Sequence, residues 1–197
     1  MIYRIQSDIT YFIENYLLQG ILFATIFGVV ILLGHIKYLH KQKQSLKVLL
    51  SRRGLYKAGL WYFLLIYFYM IIAITLLSRS EARIAKVNLK LFSTFGKQIW
   101  HQIFIYENIL MFVPYGILVY LLFKKFRKVF WMLGIGFCSS LLIEVIQYIT
   151  KRGYFQVDDI FNNVLGMVIG YFWGGLLHLF GKTLFEVAQN KEKQKRY

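Results

Sequence analysis

The chain has 197 residues, 58% of them hydrophobic, with 24 basic and 9 acidic side chains and a net charge of +15. Soluble domains run nearer about half apolar, so a soluble globular domain is excluded. The lone cysteine, Cys138, lies in an apolar run; it excludes an intrachain disulfide and a thiolate metal cluster and reads as a small buried hydrophobe.

A membrane span needs about 20 apolar residues, and five runs qualify. The first covers about 16–37. It does not read as a cleavable signal, because Arg4 is countered by Asp8 and Glu14 and no small-x-small site follows; a retained anchor is expected. The second span covers about 58–78 and the third about 104–123. The third carries Glu107 and Asn108 at its start and Pro114 inside, where a missing N–H should kink the helix. The fourth covers about 129–149 and the fifth about 160–181.

Lys and Arg stay in the cytoplasm, which sets the orientation. Seven basic residues lie between Lys37 and Lys57, four between Lys124 and Lys128, and five from Lys182 onward, so one side holds 16 of the 24. That side is expected to be cytoplasmic, with the N-terminus outside and the C-terminus inside. Of the acids, only Glu186 and Glu192 fall inside. The basic balance is thus explained by orientation and by anionic lipid at the cytoplasmic leaflet, with no nucleic-acid partner. Trp61, Tyr62, Trp100, Tyr106, Trp131 and Tyr148 lie near span ends, as interfacial belts require.

This topology gathers the polar residues of spans two to five into the outer half of the bilayer: Arg79 and Arg83 after the second, Asn108 in the third, Glu144 and Gln147 in the fourth, then Arg152, Asp158, Asp159, Asn162 and Asn163. Lipid penalises a charge at the centre of a span by roughly 2.5–3.5 kcal/mol, so their retention points to use. Glu144, Gln147 and Tyr148 share a helix face, with Glu144 about 8 Å below the outer end. Asp159, Asn162 or Asn163, Gly166 and Gly170 form a stripe on the fifth span. Gly166, Gly170 and Gly174 let another helix come close. Plainer roles exist for each group: Asp158 or Asp159 as a helix N-cap, the arginines as snorkelling interfacial residues, Asn108 as an interhelical hydrogen bond, Glu144 as a bundle-stabilising partner. Their convergence on one leaflet favours a shared site. The histidines form no metal set, and no HExxH, phosphate-loop or GxSxG pattern is present.

Three separated segments carry a resemblance: SRSEARIAKVNL (Ser78–Leu89), ENILMFVPYGIL (Glu107–Leu118) and SSLLIEVIQYITKRGYFQVDDIFNNVLGMVIGY (Ser139–Tyr171). Their order and content resemble the VanZ-like family of bacterial membrane proteins over about Ser78–Tyr171. The resemblance implies a polytopic protein of the bacterial cytoplasmic membrane. The founding member of the family is associated with resistance to teicoplanin, a glycopeptide with a fatty-acyl tail; no defined reaction comes with the resemblance.

The expected fold is therefore all-α, a transmembrane bundle of about five spans. It divides into N-terminal spans with a basic loop (1–77), a VanZ-like core (78–181) and a basic tail (182–197). The expected site takes Arg79, Arg83, Asn108, Gln147, Arg152, Asn162 and Asn163 as ligand-binding groups and Glu144, Asp158 and Asp159 as the groups able to do chemistry. The expected partners are membrane lipids and a lipid-linked precursor or lipoglycopeptide, with no required cofactor. An alternative is a membrane hydrolase or transferase on a lipid-linked phosphate. There Glu144, taken out of water, serves as general base, and Asp158 or Asp159 holds a divalent cation. An ion-coupled transporter using Glu144 as a relay fits less well, because the inner halves of the spans are nearly free of ionisable groups.

Overall fold

The computed structural model describes residues 1–43, 45, 47, 49–80, 86–96 and 99–194. Five helices follow one another: α1 (Ile2–Lys41), α2 (Arg52–Ile72), α3 (Ile99–Leu122), α4 (Val129–Ile149) and α5 (Val157–Gln194). All five are long and apolar enough to cross a membrane, in agreement with the expected spans. α2 continues as a π-helical turn over Ala73–Leu77. Two short strands, β1 (Val87–Asn88) and β2 (Phe155–Gln156), pair in parallel, Val87 opposite Phe155.

α1 has 40 residues and starts well before its apolar half. At 1.5 Å per residue it is about 60 Å long, twice the hydrocarbon thickness. Its polar first turns stay helical because the backbone bonds of a helix are local and need no apolar surroundings. Arg4 pairs with Asp8 at 3.7 Å, and Thr10 and Asn15 donate to carbonyls one turn back. α3 runs as one helix through Pro114.

α1 packs antiparallel on α2. Gly20 meets Ile66 and Tyr69 while Gly28 meets Tyr62, and Tyr69 donates to Gln19 Oε1 at 2.5 Å. α2 touches α3 through Tyr67, whose hydroxyl donates to the Met111 carbonyl at 2.8 Å. α3 and α5 run parallel and closely packed. A Cβ on Gly116 would stand 2.7 Å from the Met167 carbonyl oxygen, and Cβ atoms on Gly166 and Gly170 would collide with the carbonyls of Ile109 and Val113. Gly174 meets the Tyr120 ring. Four glycines thus remove the side chains that would hold the two backbones apart. α4 packs antiparallel against α5 through Gly136 on Met167. The apolar core is Ile71, Met111, Phe112, Val119, Met132 and Met167. Cys138 is exposed on the surface of α4 rather than packed inside.

Adding one methyl group at Gly170 should force the helices apart. Gly170→Ala is expected to cost about 1–3 kcal/mol, the range for overpacking, as a lowered unfolding midpoint in detergent. Gly34→Ala, where nothing lies within 4 Å, should leave the midpoint unchanged or raised. Equal midpoints for both variants would refute the close-packed crossing.

Candidate functional site

One end of the bundle collects the C-terminal ends of α2 and α4, the N-terminal ends of α3 and α5, and the segment 86–96. Helix ends leave backbone groups unbonded, and here side chains from neighbouring elements cover them. The π-helical turn ending α2 directs two carbonyls sideways. Gln147 Nε2 donates to the Thr75 carbonyl and Arg152 Nη1 to the Leu76 carbonyl, each at 2.8 Å. α4 ends in a Schellman turn: Arg152 N–H donates to the Gln147 carbonyl at 2.9 Å and Lys151 N–H to the Tyr148 carbonyl at 3.2 Å.

The two neighbouring aspartates have different surroundings. Asp158 is buried and both its oxygens serve the 92–94 turn. Phe92 N–H donates to Oδ1 at 2.5 Å, while Thr94 N–H (2.8 Å), Thr94 Oγ1 (2.5 Å) and Ser93 Oγ (3.1 Å) donate to Oδ2. These bonds hold Phe92 at φ 61 and its ring edge-on to Phe161. Asp159 points the other way. Asn108 of α3 lies beside it, Gln156 Nε2 approaches at 3.5 Å, and Glu144 lies near enough to repel it.

Glu144 is 2% exposed. Its Oε2 accepts from the Gln156 backbone N–H at 2.9 Å, so the strand β2 fixes the carboxylate. One turn below, Ser140 Oγ accepts from Asn163 Nδ2 at 2.9 Å. Arg79 supplies positive charge to all three carboxylates of this cluster, Glu107, Glu144 and Asp159. Its Nη1 passes over Gly153, where a Cβ would lie 3.1 Å from that nitrogen and 3.1 Å from Gln147 Oε1. Asp8 and Arg4 of α1 reach Glu107 from the other side.

Not every polar atom here is matched. Asn162 is 0% exposed, and among the described residues neither its Oδ1 nor its Nδ2 has a hydrogen-bond partner; Asn163 Oδ1 and Glu107 Oε1 are unmatched there too. Asn162 lies one turn below Asp159 and one turn above Gly166, on the face that meets α3. Burying an amide without a partner costs roughly 1–3 kcal/mol by mutational measures.

The structure thus brings Arg79, Asn108, Glu144, Asp159, Asn162 and Asn163 into one region. Gln147 and Arg152 adjoin it and hold carbonyls of the π-helical turn, and Asp158 holds the loop above it. Arg83 lies outside the described residues. Among the described residues, no three His, Cys, Asp or Glu side chains are grouped to hold a metal ion. Sequence reasoning left Glu107, Ser140, Gly153 and Gln156 out of the site. Ser140 stands four residues before Glu144 and Glu107 beside Asn108, and helix spacing could have included both.

The family model VanZ/LLP1 matches residues 55–180, more than half of the chain. The match starts inside α2 and takes in α3, α4, the segment 86–96 and α5 as far as residue 180, while α1, whose Arg4 and Asp8 approach Glu107, lies outside it. No curated protein and no solved structure matches the chain.

If Asp158 ties the loop down, Asp158→Asn should release it, because an amide offers one acceptor oxygen in place of two. Losing bonds worth about 1–3 kcal/mol should accelerate trypsin cleavage after the exposed Lys90 by at least about fivefold. Asp159→Asn should leave the rate near that of the unmodified protein. A loop no more sensitive in Asp158→Asn than in Asp159→Asn would count against the tie.

Proposed function

The chain belongs to the VanZ-like family, and we propose that it uses the polar end of its bundle to bind the head group of a lipid-linked cell-envelope ligand at the outer leaflet. The observation that carries this reading is Asn162. A fully buried amide with all four of its hydrogen-bonding positions unused is costly at membrane depth unless a ligand completes it. The region beside it supplies acceptors (Glu107, Asn163), a carboxylate held by the backbone (Glu144) and a guanidinium (Arg79). Together these suit a head group bearing both hydroxyl or amine donors and a phosphate or carboxylate. A ligand with a lipid tail would reach them from the side, through the plane of the membrane. On this reading the protein sits in the bacterial cytoplasmic membrane and lowers susceptibility to lipid-tailed glycopeptides such as teicoplanin.

Orientation is the first requirement. In a Cys138→Ser background, Leu91→Cys should react with a membrane-impermeant maleimide on intact cells, whereas Lys125→Cys should react only after permeabilisation. The reverse pattern would place the polar end in the cytoplasm and end the outer-leaflet reading.

The function itself is tested by susceptibility. Expression in a susceptible host should raise the inhibitory concentration of teicoplanin more than that of vancomycin, which lacks the acyl tail. Asn162→Leu and Glu144→Gln, at equal abundance in the membrane, should abolish the difference, since one buried hydrogen-bonding group contributes about tenfold in affinity. Equal shifts for the two drugs, or variants indistinguishable from the parent, would refute it.

A further inference from the structure

A second feature of the same end lies apart from the buried cluster. Leu76 and Leu77, from the π-helical turn, and Ile149, Thr150, Lys151 and Arg152, from the end of α4, line an open groove of about 580 Å³. None of Glu107, Glu144, Asp159 or Asn162 lines it. Its floor is apolar and uncovered, with Leu77 49% and Ile149 71% exposed. Its lining includes two cations and no acid.

The backbone at Lys151 adds an independent observation. Lys151 occupies the C′ position of the Schellman turn with φ 55, the left-handed conformation that helix ends usually give to glycine. A lysine there costs more than glycine would. The helix macrodipole favours a cation anywhere in the last turn, so it does not explain why this position holds one. Among the nearby carbonyls, Arg152 covers those of Leu76 and Gln147, and Gln147 covers that of Thr75.

We propose that this groove binds an anionic glycerophospholipid, its acyl chain along Leu76, Leu77 and Ile149 and its phosphate at Lys151. The charge of the rim selects an anionic head group, and the exposed aliphatic floor selects a lipid over a free anion. The site stands independently of the head-group reading above and of which leaflet the polar end faces.

The test is native mass spectrometry of the purified full-length protein. The protein is equilibrated with equal amounts of phosphatidylglycerol and phosphatidylcholine of the same acyl chains. The unmodified protein should retain phosphatidylglycerol in preference. Lys151→Gly should lower that preference about fivefold, the factor one basic side chain contributes at an anionic surface, with an unchanged or raised melting temperature. Lys151→Asn, which tolerates the same backbone conformation, should do the same. Lys90→Gln is the control. Lys90 is an exposed cation at the same end but does not line the groove, so its removal should leave the preference intact. Three results would overturn the proposal: no preference in the parent, an equal fall in Lys90→Gln, or displacement of the lipid by millimolar inorganic phosphate. Glu144→Gln should retain phosphatidylglycerol, so this result and the susceptibility result can fail separately.

Discussion

Lipid offers no hydrogen bonds. Every N–H, carbonyl and polar side chain buried in this bundle must therefore find its partner inside the protein or remain costly. The polar end is organised by that constraint. The π-helical turn of α2 leaves carbonyls facing sideways, and Gln147 and Arg152 cover them. The 92–94 turn presents N–H and hydroxyl groups, and Asp158 accepts from them. Each pairing joins elements 64 to 76 residues apart in sequence. The same bonds that satisfy the backbone also fix the relative positions of α2, α4, α5 and the loop.

Close packing supplies the other half of the frame. With glycines at four positions of the α3–α5 crossing, the two helices approach near enough to bring Asn108 beside Asp159. A larger residue at Gly166 would widen the gap at the level of Ile109, next to Asn162. The small residues are thus read as packing, and their consequence is chemical: they set the distance between the polar groups of α3 and those of α5. A close crossing below and hydrogen bonds above thus frame the buried cluster.

Much of this was legible in the sequence because it depends on length, polarity and helical period. The spans follow from apolar runs of membrane length. The shared face of Glu144 and Gln147 follows from a spacing of three, and the approach at Gly166 and Gly170 from a spacing of four. Grouping Arg79 and Asn108 with Glu144 and Asp159 needed only the charge asymmetry of the loops and the order of the spans. What the sequence hid depends on contacts between distant segments. Asp158 and Asp159 are adjacent and chemically identical, and only the position of the 92–94 turn makes one a loop anchor and the other a neighbour of Glu144. α1 extends to Ile2 although its first turns look too polar for a span, because the bonds that keep them helical are local and independent of lipid. Lys151 was equally hidden: the nearby Gly153 is the natural candidate for a left-handed residue, yet Gly153 instead makes room for Arg79.

Local rules are broken in two places at this end, and in different ways. Lys151 holds a backbone conformation better suited to glycine, and Asn162 buries an amide with nothing to bond. Folded proteins concentrate such exceptions where function requires them. The two exceptions are not interchangeable. Lys151 is on the surface, beside uncovered aliphatic side chains, where its charge acts on whatever lies in the surrounding membrane. Asn162 is sealed between helices, where only a group admitted to the interior could reach it. Gln147 and Arg152 stand between these two environments. Each is bonded to the end of α2, and Arg152 is also a wall of the groove. The π-helical turn thus has its carbonyls satisfied by side chains from the end of α4, which ties the wall of the groove to the frame that holds the buried cluster.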